Sequence, residues 1–117
     1  MSSFTLPVPP PLSKTTNNVP GVGRVKSKEY KAWIKQAGQE LMIQRVKHIE
    51  SPVQIHWILP YNGRRDFDNY KKALLDVLVK FGVITDDSMK HLAYETTGYS
   101  HDITDVQVTV EPFQINT

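Results

Sequence analysis

Cysteine is absent from the 117 residues, which excludes disulfides, thiolate zinc sites and cysteine nucleophiles. Long apolar runs are absent too. None approaches the roughly 18 residues that a membrane helix needs, and the N-terminal segment lacks the basic-then-apolar build of a secretory signal. These absences predict a cytoplasmic protein with no membrane partner. There is no P-loop and no G-x-G-x-x-G, and Gly21-Val22-Gly23 stands without the rest of a phosphate-binding loop, so no nucleotide cofactor is expected. G-x-S-x-G is missing as well, which removes the serine-hydrolase elbow. His48, His56, His91 and His101 show no paired spacing suited to zinc and read as structural or exposed. Apolar residues make up only 39% of the chain, low for a compact monomer, so a partner chain is expected to complete some apolar surface. The net charge of +2 permits nucleic acid as a partner without requiring it.

What is present is the material of one ordinary domain, 1–117. SFTLPV alternates well enough for a first strand, which Pro9, Pro10 and Pro11 must end. Residues 9–26 are rich in Pro, Gly, Asn and Thr, carry Lys14, Arg24 and Lys26, and show no periodicity. A basic functional loop, or a disordered one, is expected there. Ser27 is placed to cap a helix. The stretch from Lys28 to Glu50 then puts Tyr30, Trp33, Ile34, Ala37 and Leu41 on one helical face. VQIHWILP alternates Val53, Ile55, Trp57 and Leu59 against Gln54, His56 and Ile58, a strand with one buried face. Asn62-Gly63 marks a turn. Ala73, Leu74, Val77, Leu78 and Phe81 fall at helical spacing, and Gly82 suits a left-handed cap. HLAYETTGYS and DVQVTVEPF read as two closing strands. The predicted order is β-α-β-α-β-β: a single small α+β domain with two helices packed on a mixed, mostly antiparallel sheet.

Chemistry concentrates in RRDFDNYKKALLDVLVKFG, residues 64–82. Asp66 and Asp68 are two residues apart, so in an extended segment their carboxylates point the same way. Lys72 lies one helical turn after Asp68. Asp86 and Asp87 follow the helix and could rejoin the first pair only if residues 82–87 double back along it. Two or three aspartates beside a lysine suit magnesium, a hard cation that takes few carboxylates and keeps several waters. Such an ion would polarise a phosphoryl oxygen, the lysine would offset charge in the transition state, and Arg64, Arg65 and Lys71 would hold neighbouring phosphates. The plainer alternative is that the aspartates cap the helix and oppose its dipole. An EF-hand is excluded, because Tyr70, Lys71 and Val77 occupy its third acidic, glycine and closing glutamate positions.

Asp66-x-Asp68-Asn69-x-x-Lys72 opening a helix, followed by Asp86-Asp87, resembles the motif of the RusA family of Holliday junction resolvases, often carried by phages and prophages. LPVPP, VKSKEYKAW, VQIHWILP and the terminal strand are also similar to that family, while the loop PLSKTTNNVPGVG follows its Ser/Asn-rich pattern only loosely. The resemblance implies a homodimeric, magnesium-dependent endodeoxyribonuclease (manganese a possible substitute) in a bacterial or phage-infected cell. It would resolve four-way junction DNA by paired symmetric nicks in recombination and repair. Asp66, Asp68 and Asp87 are implied as metal-binding acids, with Asp87 preferred over Asp86 on its spacing from Asp66. Lys72 is implied as the essential basic residue, with Asn69 beside it. Lys14, Arg24, Lys26, Arg64, Arg65, Asn69 and Lys71 are the expected DNA contacts. Two other classes fit the same charges: a non-catalytic branched-DNA-binding module, and an interaction protein whose helices pack on a larger partner.

Overall fold

Alternation in the strands and 3.6-residue periodicity in the helices translate directly into the fold. A computed structural model describes residues 2–63 and 67–114. Strand β1 (Ser2–Leu6) leads through the proline run and one 3-10 turn (Leu12–Lys14) to β2 (Thr16–Val19) and β3 (Gly23–Lys26). Helix α1 (Lys28–Ile43), strand β4 (Val53–Pro60), helix α2 (Asp68–Lys80), β5 (Leu92–Ser100) and β6 (Val106–Pro112) follow. The main sheet runs β1-β6-β4-β5. Pairs β1–β6 and β4–β6 are antiparallel and β4–β5 is parallel. A parallel pair needs a crossover connection, and α2 supplies it.

One face of the sheet is apolar. Phe4, Leu6, Val53, Ile55, Trp57, Leu59, Val106, Val108 and Val110 are buried there with Trp33, Ala37 and Leu41 of α1 and Leu74, Val77 and Leu78 of α2. The other face carries the alternate residues. His56 on it bonds Thr96 Oγ1 at 2.6 Å and Glu111 Oε1 at 3.0 Å, and Gln54 donates to the same Glu111 oxygen at 2.7 Å. The remaining histidines are also engaged: His48 Nδ1 with the Gly82 carbonyl, His91 Nδ1 with Ser51 Oγ, and the His101 ring against Tyr61.

Ser27 caps α1 as expected, accepting from the Tyr30 N–H at 3.1 Å. Gly82, at φ +74°, ends α2. The Val83 and Gly82 N–H groups close on the Leu78 and Val79 carbonyls at 2.9 and 3.1 Å, a Schellman pattern.

Two expectations are corrected. Residues 9–26 are not an irregular loop: β2 and β3 form an antiparallel hairpin pairing Thr16 with Lys26 through Val19 with Gly23. Its residues are nearly all exposed, so no buried face left an apolar alternation to detect. Gly21 and Gly23, at φ +78° and +97°, make its turn. Helix α1 also stops at Ile43 rather than running to Glu50. Arg45 takes φ +56°, and the Val46 and Arg45 N–H groups return to the Leu41 and Met42 carbonyls at 3.0 and 3.1 Å. That is the same C-terminal motif with arginine where glycine is usual. A left-handed conformation costs a β-carbon-bearing residue about 1–2 kcal/mol, partly offset by glycine's greater freedom when unfolded. Arg45→Gly is therefore expected to stabilise the protein by about 0.5–1 kcal/mol, read as a higher urea midpoint at unchanged slope.

Candidate nuclease site

Strand β4 ends at Pro60 and α2 begins at Asp68. Trp57 fixes the junction. Its ring lies 5.6 Å from Phe67 and its indole N–H donates to Glu95 Oε2 at 2.7 Å. Lys71 binds the other oxygen, Glu95 Oε1, at 3.0 Å and lies over the Phe67 ring. The first turn of α2 is thus clamped to β5, and Lys71, expected at phosphate, is held in that clamp.

Asp68 is the first residue of α2 and is exposed. The capping position belongs to Phe67, which has helical dihedrals and no side-chain cap. Among the described residues, then, Asp68 is not consumed in capping, although its charge still suits the positive end of the helix. Asp66, Arg64 and Arg65 lie outside the described residues. Asp68, Lys72, Asp76 and Lys80 follow at four-residue spacing and wind as one charged stripe along α2.

Three adjoining cavities run along that stripe. The first, about 470 Å³, lies between Asn69 and the hairpin residues Asn18 and Arg24. The second, about 260 Å³, is lined by Asn69, Lys72, Asp76, Lys26 and Tyr30. The third, about 380 Å³, is lined by Asp76, Lys26, Tyr30, Lys80, Asp86 and Asp87. The hairpin therefore roofs a groove that follows α2 from Asn69 to the acidic turn, and Asp68 lies outside its lining. Lys14 stands apart, beside Pro9, Pro10 and Trp33 in a separate hollow.

Residues 82–87 do turn back along α2, as far as Asp76. Desolvation is the main cause that raises the pKa of the Asp76 carboxyl above the usual carboxylate range; the Lys72 ammonium opposes it, the Asp87 charge adds to it, and Lys26 pulls the other way. Asp86 serves its own turn. Its Oδ1 accepts the Asp87 N–H at 2.8 Å, and that bond chiefly holds its pKa below the usual range. Asp76 sits two helical turns, about 12 Å, along from Asp68. Among the described residues no three acidic or histidine side chains meet in metal-binding geometry.

In the sequence, Asp76 stands at pairing distance from Lys72 and Lys80 on the helix surface and Tyr30 on the apolar face of α1, so neither stood out as a site residue. Both line the groove. The Asp68-x3-Lys72-x3-Asp76 spacing was a signal for the first. Tyr30 gave none, since it is buried with the core.

An α+β domain with an acid- and lysine-lined groove beneath a basic hairpin is the architecture of a protein that works on a polyanion. The family model of endodeoxyribonuclease RusA matches residues 7–111. The chain belongs to that family and is an endodeoxyribonuclease of the Holliday junction resolvase class. No curated relative matches the chain. Among the described residues no helix is long and apolar enough to cross a membrane.

Proposed function

We propose that this chain, acting as a homodimer built from one 1–117 domain per subunit, resolves four-way DNA junctions by magnesium-dependent hydrolysis. Its place of action is the cytoplasm of a bacterial or phage-infected cell. The observation that carries this reading is the groove along α2, which joins Asn69, Lys72 and Asp87 under a hairpin bearing Arg24 and Lys26. RusA resolvases are generally dependent on a divalent metal, and the donor set fits one. Asp66, Asp68 and Asp87 offer only hard carboxylate oxygens, the ligands magnesium and manganese prefer, and no thiolate or histidine competes for a softer ion. Asp87 is favoured over Asp86 because Asp86 is bonded to its own turn. When bound, the metal supplies Lewis-acid activation of the phosphate and its attacking water.

The chain's own residues do the rest. Lys72 faces the cavity beside Asn69 and offsets negative charge that builds on the phosphoryl oxygens. Arg24 and Lys26, with Arg64 and Arg65, take neighbouring backbone phosphates. Such contacts position the DNA without reading its bases, so branch shape decides the substrate. A Holliday junction is nearly two-fold symmetric, and a C2 dimer presents two equivalent sites to opposed strands. The cations also limit repulsion between the acids and the DNA, so affinity should fall steeply with salt.

Stripping the protein with chelator is expected to abolish cutting of a four-way junction while leaving junction binding measurable in a gel shift. Adding back magnesium should restore the nicks. Cutting that persists at full rate in chelator would exclude the metal-dependent reading. Binding in every metal with no nick at all would favour a non-catalytic junction-binding module.

A further inference from the structure

Two lysines from different elements line one cavity with a single carboxylate. Lys72 comes from α2, one turn before Asp76. Lys26 is the last residue of the hairpin's exit strand. Both ammoniums act on the Asp76 charge, and all three side chains line the same cavity. Lys26, Tyr30 and Asp76 also line the next cavity, the one that holds Asp87. The three form the shared wall between the lysine half of the groove and its acidic half.

The root of the hairpin is hydrogen-bonded to the cap of α1. Ser27 Oγ donates to the Lys14 carbonyl at 2.7 Å, and the Ser27 N–H donates to the Thr15 carbonyl at 3.0 Å. The Tyr30 ring, buried beside Trp33, backs the wall from the α1 side. Asp76 itself remains open to solvent, and its attraction for the two lysines acts through space. It adds little to the core, while its charge faces the two groups that must meet phosphate.

We propose that Asp76 is a positioning residue of the nuclease centre: it orients the Lys72 ammonium over the groove and, through Lys26, sets the β2–β3 hairpin against α2. This inference rests on the proposed junction cleavage. It assigns Asp76 no contact with the reacting atoms. DNA entering the groove then meets an ammonium drawn toward a neighbouring carboxylate, with the hairpin's Lys26 drawn toward the same group.

The test is single-turnover cleavage of a four-way junction at saturating protein in magnesium, by wild type, Asp76→Asn, Asp76→Glu and Asp68→Asn. Thermal unfolding and junction affinity are measured on each. Loss of a residue that orients a functional group costs about 10- to 100-fold in activity. That loss is expected for Asp76→Asn at saturation, with junction affinity and melting temperature close to wild type. Asp76→Glu keeps the charge and is expected to recover most of the rate. A merely structural role predicts lower melting temperature in proportion to lost rate, with no recovery by glutamate, and either finding overturns the proposal. If Asp76→Asn cuts at the wild-type rate while Asp68→Asn does not cut, the positioning role fails and the nuclease reading stands. If wild type itself does not cut, the nuclease reading fails and the positioning role falls with it.

Discussion

Asp68→Asn is expected to abolish junction cleavage while leaving the protein folded and able to bind DNA. A catalytic metal contributes several kcal/mol of transition-state stabilisation, and each ~1.4 kcal/mol is tenfold in rate. Losing a ligand oxygen should therefore slow cutting by about 10³-fold. The fold should barely register the change. Asp68 is exposed, makes no cap hydrogen bond, and contributes through the helix dipole only about 0.3–1 kcal/mol. Removing a negative charge beside phosphate should leave junction affinity equal or tighter. The check is a paired cleavage and gel-shift experiment on one junction. Near-normal cutting by the variant would remove Asp68 from the chemistry. Failure to bind would return it to a structural role.

The second large effect is expected at Trp57, on stability and through it on the site. Trp57 is 1% exposed. It packs on Phe67 and donates to Glu95, which in turn holds Lys71. Truncating a buried tryptophan to alanine costs about 3–5 kcal/mol, a large share of the about 5–15 kcal/mol that keeps a domain folded. Trp57→Phe keeps most of the packing but strips Glu95 Oε2 of its donor, a loss of about 1–3 kcal/mol. Urea unfolding should rank wild type above Trp57→Phe above Trp57→Ala. Because the same residues seat the first turn of α2, Trp57→Phe should also cut more slowly than its stability at the assay temperature explains. A Trp57→Ala protein as stable as wild type would contradict the packing account.

Most of this fold was legible where one face is buried. The alternation in Val53–Pro60 and Val106–Pro112, the stripe of α2, the Ser27 cap and the Gly82 stop all follow from burial or from a special backbone conformation. Each appears in the structure where the sequence placed it except Phe81, which follows α2 as an exposed C-cap residue instead of joining its buried stripe. The β2–β3 hairpin escaped detection because both its faces meet solvent, so side-chain choice there carries no periodic record. The early end of α1 escaped for a related reason. Arg45 fills a left-handed position that glycine usually marks, and Val46 and Ile49 continue to pack on the core after the helix has ended.

The site divides in the same way. Asp68, Asn69 and Lys72 were legible as a motif, and the groove joins Asn69 and Lys72 to Asp87. The wall of Lys26, Tyr30 and Asp76 was not legible as a unit, because its members come from three elements and meet only through the tertiary fold. Lys71 could not be told apart from Lys72 by charge. A rotation of about 100° per residue sends one to Glu95 and the other to the groove.

The most direct test of the account is cleavage mapping on a synthetic four-way junction, each strand labelled in turn, beside a linear duplex of the same sequence. Magnesium and chelator arms would run in parallel. The account predicts paired nicks at symmetric positions in opposed strands of the junction, dependent on magnesium, with the duplex intact. Equal cutting of junction and duplex, or no cutting of either in any divalent metal, would contradict it.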